Sequence, residues 1–269
     1  MDLGPPLASP GSIAAALEPL LAQADLPHRL AALARHMTGR IVFTTSFGLE
    51  DQAITHAVWD SDLDLPIEIV TLDTGRLFPE TYDLWHETET RYGRRIRAFA
   101  PDSGALETLV AAQGVNGFRG SVEARKACCH VRKVEPLRRA LAGASAWITG
   151  LRAEQSPNRA GVPLAEADAG FGLVKVNPLA DWRRDDLTRY VRDHAVPYNP
   201  LHDQGYPSIG CQPCTRAVRV GEPERAGRWW WEDEARKECG LHVRTPLRDA
   251  REGERLNNPH NVSGDLRPS

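Results

Sequence analysis

Ile41-Val-Phe-Thr-Thr45, followed directly by Ser46-Phe-Gly-Leu-Glu-Asp51, is the stretch of sequence that decides the fold. The first five residues are apolar or β-branched, which predicts a buried strand. The next six form a polar turn that contains a glycine, and a helical pattern follows them. A strand that passes through a short turn into a helix is the repeating unit of α/β proteins.

The same unit recurs along the chain. Ile67-Glu-Ile-Val-Thr-Leu72 ends in Asp73-Thr-Gly-Arg76 and precedes a helix expected over about residues 78–92. Apolar spacing predicts two helices before Gly39, and further elements are predicted as strands at 95–99, 146–149 and 173–177 and a helix at about 184–194. This alternation predicts an α/β fold, a Rossmann-like and mainly parallel sheet with helices on both faces. Ligands of such sheets bind at the carboxyl ends of the strands, where the polar segments 46–51, 73–76 and 150–159 fall.

Composition excludes several classes of protein. The chain has 269 residues, 41% of them hydrophobic, and a formal net charge of −3, so it carries no nucleic-acid or membrane-surface signature. No apolar run reaches the length of a transmembrane helix, and the N-terminus lacks the pattern of a signal peptide. We therefore expect a cytoplasmic protein, in which cysteines serve as metal ligands or catalysts rather than in disulfides.

The C-terminal end differs in composition from the rest. After about Thr245 the sequence is polar and aperiodic. The sequence thus predicts a single α/β domain over residues 1–243 and a mobile tail over residues 244–269.

Five cysteines fall into three groups: Cys128-Cys129, Cys211-Gln-Pro-Cys214 and Cys239. Two pairs supply the four thiolates that one [4Fe-4S] cluster or one structural zinc requires. Side chains of adjacent helical residues diverge by about 100°, which favours a cluster, whose thiolates bind different irons, over a single ion. Zinc or buried structural cysteines remain alternatives. Cys239 is left over, between Lys237 and His242, as a reactive thiolate or an inert buried thiol.

Other motifs have a functional and an ordinary interpretation. The segment Thr44–Asp51 resembles an anion cradle at a helix N-terminus, although it lacks the Walker A lysine, and it could equally be a plain strand–helix turn. Trp229-Trp-Trp231 favours core packing over base stacking. Five basic residues lie beside strand ends or cysteine motifs and are otherwise ordinary surface residues: Lys133, Arg152, Arg159, Arg225 and Arg228.

Together these motifs resemble the assimilatory sulfonucleotide reductases, over roughly residues 15–245. The segments that carry the resemblance are Ser46–Asp51, Leu72-Asp-Thr-Gly75, Lys126-Ala-Cys-Cys129 with Arg132-Lys133, Cys211-x-x-Cys214 with Arg216, Gly227-Arg-Trp-Trp-Trp231 and Glu238-Cys-Gly-Leu-His242. The last of these is highly specific. The resemblance implies a sheet related to the adenine nucleotide alpha-hydrolase-like proteins.

The resemblance also implies roles for individual residues. Cys128, Cys129, Cys211 and Cys214 would bind a [4Fe-4S] cluster, and Cys239 would be the nucleophile. Lys133 would lie between cluster and substrate. The implied substrate-binding residues are Ser46, Gly48, Leu72, Asp73, Lys133, Gly150, Arg159, Arg225 and Arg228.

Family members with both cysteine pairs typically reduce adenosine 5′-phosphosulfate, to sulfite and AMP, through a cysteine S-sulfonate that thioredoxin or glutaredoxin resolves. This activity, in assimilatory sulfate reduction and cysteine biosynthesis, is what the resemblance implies here, with a homo-oligomer as one candidate assembly. Three alternatives stay open: reduction of the 3′-phosphorylated nucleotide, a non-enzymatic iron–sulfur redox sensor, and a thiolation enzyme of the ATP-pyrophosphatase type, which the missing loop lysine disfavours.

Overall fold

A six-stranded sheet runs through the centre of the described chain. The structure, a computed structural model, describes residues 9–61, 63–233 and 241. The strands are β1 (Arg40–Thr45), β2 (Ile67–Leu72), β3 (Arg97–Phe99), β4 (Ala144–Ile148), β5 (Ala165–Asp168) and β6 (Leu173–Val176). Their order is β3-β2-β1-β4-β6-β5, and every neighbouring pair is parallel except β5 with β6. The predicted mainly parallel α/β fold is confirmed.

Eight α-helices accompany the sheet in the described ranges. They are α1 (Pro10–Ala22), α2 (Leu26–His36), α3 (Leu49–Trp59), α4 (Pro79–Tyr92), α5 (Ser103–Gln113), α6 (Val122–Cys129), α7 (Glu135–Leu141) and α8 (Arg184–Asp193). A π-helical turn, His130–Val134, joins α6 to α7. Strand β5 and helices α5, α6 and α7 were not predicted.

Both faces of the sheet are covered by helices, and β1 contributes apolar side chains to the core on each face. Ile41 and Phe43 point to one face, where they share a core with residues of α1, α2, α3 and α8. Val42 points to the other, where it packs with Leu137 and Leu141 of α7. A strand that is buried on both faces carries apolar residues at successive positions, which is why Ile41–Phe43 shows no alternation of polar and apolar residues.

The strand order creates a switch point beside β1. The chain leaves β1 for β2 and β3 on one side and returns to β4 on the other. The loops that follow β1 and β4 therefore run in opposite directions and open a crevice between them. This crevice is where a ligand is expected.

Some predictions fall outside the described residues. Cys239 and the tail 244–269 are among these, so the mobile tail and the domain boundary at residue 243 stay predictions. Within the described ranges, every helix is too short or too polar to cross a lipid bilayer.

Candidate functional site

A cavity of about 190 Å³ opens at the carboxyl ends of β1, β2 and β4, as the switch point predicts. Eight of the nine predicted substrate residues line it: Ser46, Gly48, Leu72, Lys133, Gly150, Arg159, Arg225 and Arg228. The ninth, Asp73, is not among the described lining residues. Its carboxylate accepts hydrogen bonds from the Gly75 amide (2.9 Å) and the Tyr82 hydroxyl (2.7 Å), so it shapes the turn after β2.

The loop between β1 and α3 forms one wall of the cavity. Phe47 adopts the left-handed conformation (φ 60°), and Gly48 caps α3 without a side-chain hydrogen bond. The Ser46 amide and hydroxyl both donate to Asp51 Oδ2, at 2.6 and 2.7 Å. The loop's own carboxylate thus occupies donors that the sequence assigned to a bound anion. Burial, reinforced by the charge of Glu50, raises the pKa of Asp51 to about 6 despite the opposing hydrogen bonds from Ser46 and Gly48.

Gly150 is required by the close approach of β4 to α3. A Cβ at this position would overlap Asp51 Oδ1 and lie 3.1 Å from Glu50 Cβ. Any side chain here would displace the Asp51 carboxylate, which Ser46 holds through two hydrogen bonds, or push the end of β4 away from the first turn of α3. The two walls of the crevice can therefore meet only at a glycine.

Arg152 lies fully buried beneath the cavity and binds three carboxylates. It contacts Glu50 (2.7 Å), Glu224 (3.1 Å) and Glu154 (3.3 Å). Burial opposes ionisation of Glu50, but the charge and hydrogen bonds of Arg152 hold the pKa of Glu50 below its usual range. Because Glu224 precedes Arg225 in the chain, this network ties the segment that carries Arg225 to α3.

A second, smaller cavity lies beside the first and is lined by four cysteines: Cys128, Cys129, Cys211 and Cys214. Cys128 and Cys129 end α6, whereas Cys211 and Cys214 flank a short 3₁₀ turn, Gln212–Cys214. None of the four is in a disulfide, and all but Cys128 are buried. The fold thus brings together the two pairs that the sequence separates by more than 80 residues.

Lys133, Cys211 and Trp229 line both cavities. Lys133 extends from the π-helical turn after α6, at the boundary between the two cavities. A cation at this boundary acts on the thiols as well as on a ligand of the larger cavity. The sequence did not identify Trp229 as part of this boundary.

Positive charge surrounds the cysteines and changes their acidity unevenly. Burial opposes ionisation of Cys211, but Lys133 and a 3.3 Å hydrogen bond with Thr74 bring its pKa below the usual value. Burial and the charge of Cys211 raise the pKa of Cys214 to about 11. Without added positive charge, therefore, the four thiols do not ionise together at neutral pH.

The donor set fits an iron–sulfur cluster. Two N–H groups at the small cavity, Trp229 Nε1 and Arg132 Nε, are buried without a hydrogen-bond partner, and a cluster's sulfur atoms are the acceptors they lack. Among the described residues, no three His, Cys, Asp or Glu side chains converge as a group able to hold one metal ion. Four thiols around one cavity supply one ligand for each iron of a [4Fe-4S] cluster.

Several lining residues were missed or undervalued by the sequence analysis. They include Thr74, Glu50, His202, Gly210, Glu224 and Trp229. Thr74 lies inside the Asp73-Thr-Gly75 motif, so its position after β2 was a usable signal. Glu50 lies inside the motif Ser46–Asp51 and Trp229 inside Gly227-Arg-Trp-Trp-Trp231, so they too had a usable signal. The other three depend on long-range contacts that no local pattern reveals.

Known proteins resemble this chain over most of its length. The model of the phosphoadenosine phosphosulfate reductase domain matches residues 40–217. A protein from Agrobacterium fabrum named adenosine 5′-phosphosulfate reductase is 57% identical to this chain, over 85% of this chain and 87% of the relative. A protein of the same name from Allochromatium vinosum is 54% identical, over 84% of this chain and 90% of the relative. The crystal structure of phosphoadenylyl-sulfate reductase from Candida auris, a phosphate complex, superposes with a TM-score of 0.64 at 27% identity, over 76% of this chain and 96% of that one. The chain belongs to the phosphoadenosine phosphosulfate reductase domain family, the sulfonucleotide reductases that its motifs resemble.

Proposed function

We propose that this enzyme reduces adenosine 5′-phosphosulfate to sulfite and AMP in sulfate assimilation. The observation that carries the proposal is the shared boundary of the two cavities. A cation-lined cavity at the nucleotide-binding edge of the sheet adjoins a cavity lined by four cysteines. The named relatives, more than 50% identical over most of both chains, support the choice of substrate.

The reaction begins with Cys239 as nucleophile. Its thiolate attacks the sulfur of the phosphosulfate, an S–S bond forms, and the bond from sulfur to the bridging oxygen breaks. AMP leaves with that electron pair, and the enzyme carries an S-sulfonate. Leu241, two residues after Cys239, lines the large cavity, which supports this assignment.

Reduction follows by thiol exchange. A thiolate of thioredoxin or glutaredoxin attacks the Cys239 sulfur, sulfite leaves with the electron pair of the S–S bond, and a mixed disulfide forms. The second thiol of the partner then releases Cys239 as a thiol and closes the partner's own disulfide. The dithiol thus supplies both electrons, and its oxidation balances the reduction to sulfite.

Four cationic side chains assist the first step. Lys133, Arg159, Arg225 and Arg228 line the cavity that would hold the phosphosulfate. Negative charge develops on the phosphate of AMP as the sulfur–oxygen bond breaks, and cations fixed beside it stabilise that charge. Backbone groups near Leu72 and Gly150 hold the nucleotide at the ends of β2 and β4.

Cys128, Cys129, Cys211 and Cys214 hold a [4Fe-4S] cluster in this proposal. When bound, the cluster supplies a covalent cross-link between the α6 terminus and the 3₁₀ turn, and local charge beside the substrate. Lys133 then faces both the cluster thiolates and the substrate. We further propose a single domain over residues 1–243, a mobile tail beyond it, and a cytoplasmic location.

The alternative substrate is the 3′-phosphorylated nucleotide, which the Candida auris relative's name and the family description both mention. Anaerobically purified protein should be assayed for sulfite release with each nucleotide and reduced thioredoxin. The proposal predicts a higher kcat/KM for adenosine 5′-phosphosulfate. A higher kcat/KM for the 3′-phosphorylated nucleotide would assign the chain to the other branch, and no sulfite from either would reject reductase activity.

A further inference from the structure

We propose that Gly210 is a positioning residue for substrate binding: its missing side chain forms one wall of a slot that holds the Arg228 guanidinium at the large cavity. Both residues line that cavity. The inference rests on the proposed function, in which Arg228 contacts the phosphosulfate. It adds a residue to which the sequence gave no role.

The slot is defined by contacts around the guanidinium. A Cβ on Gly210 would lie 2.5 Å from Arg228 Cζ and 2.8 Å from its Nη1, and would overlap Nη2. The centroid of the Trp229 indole ring lies 4.9 Å from Arg228 Cζ, within cation–π range. The Ile209 carbonyl accepts a hydrogen bond from Nη1 at 3.0 Å. These contacts leave Arg228 only 7% exposed.

The Trp229 wall is itself fixed. Its side chain is 1% exposed, and the Arg125 guanidinium also lies over the ring, 4.7 Å from the centroid. Its backbone amide donates to the Cys214 carbonyl at 3.1 Å. At φ 41° this bulky residue is in a conformation that only its surroundings can maintain. Trp229 therefore cannot move away to make room when a side chain is added at Gly210.

Backbone conformation does not explain the glycine. Gly210 lies outside the set of residues with positive φ, so alanine is compatible with its backbone. The three atoms nearest to an added Cβ all belong to Arg228. They form the far end of a flexible side chain, so an added methyl group would move the guanidinium out of the slot rather than break the fold. What Gly210 provides is the position of Arg228.

A double-mutant cycle tests this directly. Gly210→Ala, Arg228→Ala and the double variant are prepared in a Cys239→Ser background, so that adenosine 5′-phosphosulfate binds without turnover, and Kd is measured by calorimetry. Arg228→Ala should weaken binding about 10- to 150-fold, Gly210→Ala should lose a comparable factor, and the double variant should bind no more weakly than Arg228→Ala alone. Gly11→Ala is the matched control, because its Cβ would meet only Ser9 Oγ at 3.9 Å. Unchanged binding by Gly210→Ala, or losses that multiply in the double variant, would overturn the proposal.

A second readout needs no nucleotide. Thermal midpoint and iron content are measured for the Cys239→Ser parent, the two single variants Gly210→Ala and Arg228→Ala, and the double variant. If Gly210→Ala lowers either, removing the Arg228 side chain should restore it, because the methyl group then has nothing to displace. A double variant that stays as damaged as Gly210→Ala would show that Gly210 serves Cys211 or the fold instead, and would overturn the proposal. Failure of the parent to bind nucleotide would reject the proposed function. In that case a Gly210→Ala variant with the thermal midpoint and iron content of the parent would overturn the slot, because a displaced guanidinium loses its contacts with Trp229 and Ile209.

Discussion

Replacing Arg152 by alanine should destabilise the protein by about 3–5 kcal/mol, the cost of leaving buried charges without their partner. Arg152 is fully buried, and its guanidinium contacts Glu50 at 2.7 Å and Glu224 at 3.1 Å. The side chains of these glutamates are only 10% and 19% exposed, so water replaces little of the lost interaction. For a domain of this size each kcal/mol lowers the melting temperature by about 2–4 °C, which predicts a loss of roughly 6–20 °C at pH 7.

The loss of stability in Arg152→Ala, called the deficit below, should depend on pH in a defined direction. In the parent protein, burial raises the pKa of Glu50, but the charge and hydrogen bond of Arg152 outweigh burial and lower it. Glu50 therefore contributes stability at pH values above the ordinary carboxyl pKa, and this contribution is lost as pH falls through the folded pKa. Without Arg152, burial, the largest influence on Glu50, is opposed only by hydrogen bonds from the Glu50 backbone and Gln155, so the pKa of Glu50 rises relative to the parent. The carboxyls then become neutral at higher pH, so the deficit of the variant should shrink between pH 7 and pH 5.

Thermal unfolding followed by circular dichroism at several pH values measures both effects. Arg192→Ala is the control, because its ion pair with Asp193 is exposed and contributes at most about 1 kcal/mol. The double variant Glu50→Gln/Arg152→Ala should recover part of the loss at pH 7, since one buried charge is gone. A deficit of Arg152→Ala no larger than that of the control, or equal at pH 7 and pH 5, would refute the reasoning.

Three further predictions test other parts of the site. Anaerobically purified protein should be brown and contain about four iron and four sulfide per chain, and Cys211→Ser should lose the colour, whereas a colourless protein with one zinc would contradict the cluster. Arg225→Ala should weaken nucleotide binding about 10- to 150-fold in calorimetry with iron content unchanged, and unaltered affinity would make Arg225 a surface residue. Because the folded pKa of Asp51 is raised to about 6, its contribution to the free energy of unfolding should decrease as pH rises from about 4 to 6. The stability difference between parent and Asp51→Asn should reveal this slope, and a difference constant over that range would contradict the buried carboxyl.

Local sequence patterns predicted the elements that are buried on both faces and bounded by turns. Strands β1, β2 and β4 were expected within a few residues of where they lie, because their apolar runs end in polar motifs. Strand β5 was missed, since Ala165-Glu-Ala-Asp168 pairs along one side only and lacks a strand-like apolar run. Helix α5 has no buried residue, so its sequence shows no strong apolar stripe.

The site was predictable where motifs follow strands and unpredictable where it depends on distant contacts. Cysteine spacing indicated that two pairs act together, although 81 residues lie between Cys129 and Cys211 in the sequence. The burial of Arg152 could not be foreseen, because its partners Glu50 and Glu224 lie more than 70 positions away on either side. The same holds for Gly210, whose neighbour in space is Arg228.

The central claim, that four cysteines form the metal site and Cys239 is the nucleophile, is tested most directly by mass spectrometry after incubation with adenosine 5′-phosphosulfate and no reductant. The reaction should stop after its first half, with an adduct of about 80 Da, one sulfonate, in a peptide that contains Cys239. Reduced thioredoxin should then release sulfite. Cys239→Ser should keep its colour and bind nucleotide but form no adduct, because a hydroxyl is a far weaker nucleophile than a thiolate. A sulfonate on Cys128, Cys129, Cys211 or Cys214, or sulfite release by Cys239→Ser, would contradict the account.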